Sequence, residues 1–164
     1  MLKHSDLLDC LKYDLNTGIF YWQKQLSKRI LIGDIAGSKT DKGYKLISIN
    51  NIKYRAHHLA WFYINGIFSK THLDHINNDR MDNRICNLRE ANTKQNSENK
   101  VLDFKNKSGL RGVCFDKKRN KWASFISHNN KTIALGRFEF KEDAYQAYIQ
   151  AVNKLHTHNP LCQK

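Results

Sequence analysis

The sequence predicts an α+β chain: a β-rich lead-in, a strand–strand–helix core, and a C-terminal three-stranded antiparallel sheet packed on one helix. Three observations predict it. Two hairpin signals fall within residues 1–56. From about 72 to 99, a short apolar strand, a polar loop, a second short strand and a helix start follow one another. Residues 109–155 hold three strand-like runs and then an amphipathic helix. The chain has 164 residues, 40% of them hydrophobic and 11% aromatic, so it can fold as one ordinary domain or two small ones. The segments expected are 1–56, 57–104 and 105–164.

In the first segment, a short helical pattern runs from Ser5 to Leu11, with Ser5 as its N-cap. The stretch YDLNTGIFYW then sets Asn16-Thr17-Gly18 between two aromatic-rich runs, a hairpin signal. The runs YKLISIN and IKYRAH both alternate and are joined by Asn50-Asn51, a second hairpin.

The second segment opens with HHLAWFYING, where Leu59, Phe62 and Tyr63 share a helical face and Gly66 is the stop. At least one of His57 and His58, at the start of this helix, is expected to pack against the core. His72 is expected at the surface. LDHI reads as a short strand and NNDRMDNRI as a loop rich in residues that tolerate tight turns, so Asn77, Asn78, Asp82 and Asn83 build that loop. Asn87-Leu88-Arg89 reads as the returning strand. Thr93 is the expected N-cap of a helix in which Asn96 is the third residue, and its asparagine-rich tail is expected to fray into a linker near 100–108.

In the third segment the strands are Leu110–Asp116, Trp122–His128 and Lys131–Phe138, with turns at KKRN and HNN. The helix runs from Lys141 to Leu155. Ala144, Ala147, Tyr148, Ala151, Val152 and Leu155 form its apolar stripe, and Trp122 is expected in the core beneath it.

Charge narrows the partners. Twenty-eight Lys and Arg against fifteen Asp and Glu give +13 and a pI near 9.7. Such a surplus suits a polyanion, because binding releases counterions condensed on phosphate. Nucleic acid is the first candidate. A membrane is disfavoured, since the longest apolar run, Leu59–Ile64, is far too short for a span. Residues 105–164 carry 12 basic and 4 acidic side chains (+8), against 16 and 11 (+5) in residues 1–104. The denser charge marks the third segment as the docking module, and the run 117–121 (KKRNK) as a phosphate contact. Acidic residues near the N-terminus interrupt what a secretory signal needs, so an intracellular protein is expected. Cys10, Cys86, Cys114 and Cys162 are spread singly, which argues against a cysteine-built zinc site and against disulfides.

One constellation carries chemistry. Neighbours on a strand point to opposite faces, so at a strand end one of Asp74 and His75 can hold a metal while the other faces a substrate. A neutral histidine can take a proton from water, an effect worth about 10²–10⁴-fold. A carboxylate with an amide oxygen makes a hard-ligand site suited to Mg²⁺, and Asn87 is placed to orient the His75 ring. Strand, return strand and helix can bring Asp74, His75, Asn87 and Asn96 together.

The stretch HLDHINNDRMDNRICNLREANTKQNSEN resembles the ββα-metal (His-Me finger) motif of phage and intron-associated His-Asn-His (HNH) homing endonucleases. The matching features are the Asp-His pair, the D-N-R-x-x-N-L run and the Gln-Asn after it. The resemblance implies His75 as general base, Asp74 and Asn96 as ligands of one Mg²⁺ or Mn²⁺ ion, and Asn87 as the middle asparagine. The upstream stretch GYKLISINNIKYRAHHLAWFYING is also similar to these enzymes, with His57-His58 where they have a His-Arg pair.

Residues 107–159 resemble a second family, the ethylene-responsive-factor (apetala-type) DNA-binding domain of plants, also found appended to phage nucleases of this kind. The match runs through Ser108-Gly109-Leu110-Arg111-Gly112-Val113, Lys121-Trp122, Leu135-Gly136-Arg137-Phe138 and the alanine-bearing helix ending at Leu155-His156. The resemblance implies a sheet lying in the major groove. Where the plant domains have arginines and a tryptophan, this chain has Cys114, Asp116, Ser127, Thr132 and Ala134, so their recognition sequence does not carry over.

The expectation is a metal-dependent endonuclease on double-stranded DNA. It is expected to nick as a monomer with no obligate protein partner, and to contact DNA through Arg84, Arg111, Lys117, Lys118, Arg119, Lys121 and Arg137. The competing expectation is a catalytically silent DNA-binding transcription regulator.

Overall fold

A computed structural model describes residues 2–99 and 106–157. The chain divides into two units, residues 1–92 and 93–164.

In the first unit, α1 (His4–Cys10) starts at His4 rather than Ser5. Ser5 is not the cap: Lys3 holds that position without a side-chain bond, and the Ser5 hydroxyl turns to Asp6. β1 (Leu11–Asp14) and β2 (Ile19–Trp22) form the first hairpin, with Tyr13 opposite Phe20. Its turn is tied by the Asp14 carboxylate, which accepts from the Asn16 amide (2.9 Å) and the Thr17 hydroxyl (2.8 Å).

A two-residue strand, β3 (Ser38–Lys39), pairs with β4 (Lys45–Ile49), which pairs with β5 (Ile52–Arg55). The sequence reading omitted β3 because two polar residues carry no alternation. Asn50 and Asn51 both have positive φ (50° and 63°), as the tight β4–β5 turn requires. α2 (Ala56–Asn65) ends at Gly66, whose left-handed conformation lets its N–H bond to the Phe62 carbonyl at 2.9 Å. β6 (His72–His75) pairs antiparallel with β7 (Leu88–Ala91), joined by a loop that closes in a 3₁₀ turn, Ile85–Asn87.

The segments 1–56 and 57–92 share one core. Leu7, Leu11, Phe20, Ile47 and Ile49 pack in the same cluster as Leu59, Ala60, Phe62 and Leu88. The β6–β7 hairpin has too little apolar surface to bury alone. It therefore depends on the lead-in for its interior.

The second unit begins with α3 (Thr93–Glu98), which includes Thr93 as its first residue and so makes Asn96 the fourth. Residues 100–105 of the expected linker lie outside the described residues. Residues 106–112 form a loop where a strand was expected from Leu110. The Asn106 carboxamide and the Ser108 hydroxyl bind backbone groups within it, and Gly109 and Gly112 are left-handed (φ 69° and 72°).

β8 (Val113–Asp116), β9 (Lys121–His128) and β10 (Lys131–Phe138) then form an antiparallel sheet in the order β10-β9-β8, with a bulge between Ala134 and Gly136. α4 (Lys141–Leu155) packs on it, burying Ala144, Tyr148, Ala151 and Val152 against a core that includes Ile126. The described chain is thus a mixed α/β protein whose C-terminal unit is a three-stranded sheet with one helix.

Candidate nuclease site and nucleic-acid surface

β6 ends in the two side chains that matter most. Asp74 and His75 are both buried, at 8% and 5% exposure, inside a chain whose surface carries a large positive surplus. Burial of a carboxylate needs compensation. Across the hairpin Asp74 sits opposite Arg89, whose Nη2 and Nε donate to Asp74 Oδ2 at 3.1 and 3.3 Å.

His75 meets Asn83, with Nε2 3.3 Å from Asn83 Oδ1. The Asn83 amide cannot be turned around without loss, because its Nδ2 donates to the Met81 carbonyl at 3.0 Å. The acceptor oxygen therefore faces the ring, the ring proton sits on Nε2, and Nδ1 is the basic nitrogen. Burial pushes the His75 pKa down. The Asn83 bond and the Asp74 charge push it up, but less, so the ring is neutral at pH 7.

Asn87 does something other than orient that ring. Its Oδ1 accepts the Asn77 amide (3.0 Å), and its Nδ2 donates to Asn77 Oδ1 (3.0 Å) and to the Asp82 carbonyl (2.8 Å). Asn87 thus braces the 76–87 loop, and the loop carries Asn83 to the ring. Sequence reading gave Asn83 a place in the loop and missed its second role, since an eight-residue separation from His75 has no periodic signature.

His57 was also missed as a neighbour of His75. Its ring lies 4.8 Å from the His75 ring at 77°, and 4.5 Å from His58. Burial, then the neighbouring His58, His75 and Arg55, lower its pKa to about 2. Its Nδ1 has no hydrogen-bond partner among the described residues. Tyr44 borders both His57 and His75, and the guanidiniums of Arg55 and Arg80 lie over its ring at 4.8 and 4.9 Å. These two exposed arginines put positive charge over Tyr44, and neither stood out in the sequence. His72 is exposed, as expected. Asn96 is half-buried on α3, in the second unit.

The expected DNA-contacting side chains differ in their freedom. Arg84 is held by Asp82, with Nη2 and Nε donating at 2.6 and 2.7 Å. Arg111 donates to the Glu98 and Ser97 carbonyls at 2.9 and 3.0 Å, so it caps the C-terminal end of α3. Arg119 and Arg137 both reach Asp116 Oδ2, each at 3.2 Å. Desolvation raises the Asp116 pKa, but the bonds from Arg137 and Arg119 outweigh it and hold the carboxyl below its ordinary range. Lys117, Lys118 and Lys121 are exposed.

Paired residues share a sheet face, so Cys114, Ala123 and Arg137 lie in one row, with Asp116 and Lys121 in the next and Ser127 and Thr132 further along. This is the face opposite α4. Trp122 is half-buried on the α4 side, with Lys141 Nζ 5.6 Å from its ring centroid.

Residues 54–98 match the HNH endonuclease family and residues 108–158 match the AP2 domain. A relative from Escherichia phage T7, "Protein 3.8", is 33% identical over 78 residues, which cover 47% of this chain and 64% of that protein. The chain therefore spans less than two thirds of that relative's length. No solved structure matches the chain. Among the described residues no helix is long and apolar enough to cross a membrane. The middle of the chain is therefore similar to HNH endonuclease domains, and its C-terminal part to AP2 domains.

Proposed function

We propose that the protein is a metal-dependent endonuclease that hydrolyses phosphodiester bonds in double-stranded DNA, with His75 as general base. The observation that carries this reading is a buried, neutral histidine whose Nε2–H is oriented by Asn83, beside a buried carboxylate at the end of the same strand. His75 Nδ1 takes the proton of the attacking water.

The donor set fits a hard divalent cation such as Mg²⁺ or Mn²⁺. Asp74 offers a carboxylate, and the family resemblance assigns Asn96 as the second oxygen ligand. When bound, one such ion supplies charge stabilisation to the pentacovalent phosphate and the leaving oxygen. Asn87 supports the reaction at one remove, by bracing the loop that positions Asn83. One active site per chain supports nicking by a monomer, and the resemblance of residues 72–99 to phage and intron-associated enzymes supports a role as a homing enzyme. The sheet face opposite α4, with Lys117, Lys118 and Lys121 beside it, docks the duplex largely through phosphate contacts.

The test is relaxation of supercoiled plasmid and of phage genomic DNA, with Mg²⁺ or Mn²⁺ and with EDTA. Metal-dependent nicking by the native chain, abolished in His75→Ala with DNA affinity retained, is the expected result. Tight binding with no cleavage of either DNA under any metal condition would instead establish the silent transcription regulator.

A further inference from the structure

Within the second unit, three side chains from three elements converge away from Asp74 and His75. Glu98 is the last residue of α3, His128 the last of β9, and His156 the residue that follows α4. One ligand-capable atom from each lies within 4.8 Å of the others. Glu98 and His156 are 4% and 8% exposed, and His128 is half-buried. We propose that Glu98, His128 and His156 form a binding site for a divalent transition-metal ion of the zinc class.

The hydrogen bonds around the cluster prepare it for that role. His156 Nε2 lies 3.0 Å from the Ser127 carbonyl, which can only accept, so the proton is on Nε2 and the ring's lone pair is on Nδ1. An imidazole that donates to a carbonyl through one nitrogen is fixed in tautomer and ring orientation, as metal-ligating histidines are. His128 Nδ1 is buried and has no hydrogen-bond partner among the described residues. Glu98 is oriented by the Thr157 amide, which donates to Oε2 at 2.9 Å. The two imidazole rings lie nearly parallel, 23° apart.

Two imidazole nitrogens and one carboxylate oxygen are donors for Zn²⁺ or its neighbours in the first transition row, not for Mg²⁺, which prefers an all-oxygen shell. Ligand atoms about 2.0–2.2 Å from a tetrahedral zinc stand roughly 3.3–3.5 Å from one another. Closing from the observed spacing therefore asks each side chain for an adjustment of about an ångström or less. The three residues come from sequence positions far apart, so a bound ion would cross-link α3, the end of β9 and the end of α4. Arg111 already ties the C-terminal end of α3 to the loop that leads into β8, and the ion would hold the same turn from a second direction.

The proposal is independent of the nuclease reading, and the experiment keeps the two apart. Metal-free full-length chain is titrated with Zn²⁺, with Co²⁺ as a spectroscopic probe, and the stoichiometry after dialysis is measured for the native chain, Asp74→Ala, Glu98→Gln and His128→Gln. Glu98→Gln is nearly isosteric and keeps an acceptor for the Thr157 amide, so loss of binding there reports the ligand rather than the fold. The expected result is one equivalent that persists in Asp74→Ala. Its affinity should fall on the order of 100-fold in Glu98→Gln and in His128→Gln, with the visible Co²⁺ bands lost. Stoichiometry unchanged in both of those variants, or binding lost only with Asp74→Ala, would overturn the proposal. So would an absence of tight Zn²⁺ binding by the native chain.

Discussion

The ring of His57 stands edge-on to the ring of His75, with centroids 4.8 Å apart and planes at 77°. A protonated His57 would place a positive charge against the proposed base, and burial prevents this by lowering its pKa to about 2. The same shift sets a stability profile. The unfolded chain takes up this proton near pH 6.5 and the folded chain does not. The stability His57 contributes is therefore complete above pH 6.5 and is lost as pH falls toward 2.

In the window from pH 6.5 to 5, above the carboxylate range, unfolding free energy should fall by up to about 1.4 kcal/mol per pH unit for this residue. His58 and His75, also lowered by burial, act in the same direction, and Arg55 faces His57 and His58. Urea unfolding followed by Trp22 and Trp61 in a Trp122→Phe background measures it. His57→Phe should flatten the slope by close to one proton, and equal slopes in the two chains would refute the assignment.

Asn83 holds the proton-bearing nitrogen of His75, so Asn83→Ala should slow cleavage about 10–100-fold, the usual cost of losing an orienting partner. DNA affinity should stay within a factor of two, because Asn83 is buried and away from solvent. Single-turnover rates and filter binding on one nicking substrate separate these effects. A variant that cleaves at the native rate would show that the ring needs no such partner.

The lead-in supports the catalytic loop at two points. The Tyr13 hydroxyl donates to the Asn83 carbonyl at 2.7 Å. Gly18, at φ +71°, lies so close to the loop that a Cβ would sit 2.4 Å from the Arg84 nitrogen. Tyr13→Phe should cost about 1–3 kcal/mol, since it leaves a buried carbonyl unpaired. Gly18→Ala should cost about 2 kcal/mol or more, because it combines an unfavourable φ with a backbone clash. Hydrogen-exchange protection over residues 72–91 is the readout. Undiminished protection in Gly18→Ala would mean that the loop does not lean on the hairpin.

The basic residues of the second unit should separate by their existing partners. Lys117, Lys118 and Lys121 are exposed, and changing all three to Ala should lower the slope of log affinity against log salt by up to about 0.9 for each phosphate no longer neutralised. Arg111 is occupied at the end of α3, so Arg111→Ala should leave that slope unchanged and cost about 1–2 kcal/mol of stability. A salt titration of DNA binding alongside thermal unfolding of both variants decides between the two roles. The reverse pattern would put Arg111 on the DNA.

Elements carried by local chemistry were legible from the chain alone. The Asn50-Asn51 turn, the Gly66 stop, the β8–β10 strands with their turns and the α4 stripe each follow from backbone preference or periodicity within a few residues. So did the pairing of Asp with His at the end of a short apolar strand. Local errors came where short-range bonding competed with pattern, as in the Asn106–Ser108 loop that replaces the start of β8. Tertiary structure alone decided that the lead-in and the β6–β7 hairpin share a core, and that Asn83 rather than Asn87 meets the His75 ring. It alone decided that His57 lies against that ring, and that Glu98, His128 and His156 converge. These relationships join residues with no fixed spacing along the chain. They are set by which surfaces must be buried together, a property of the folded whole that no local window contains.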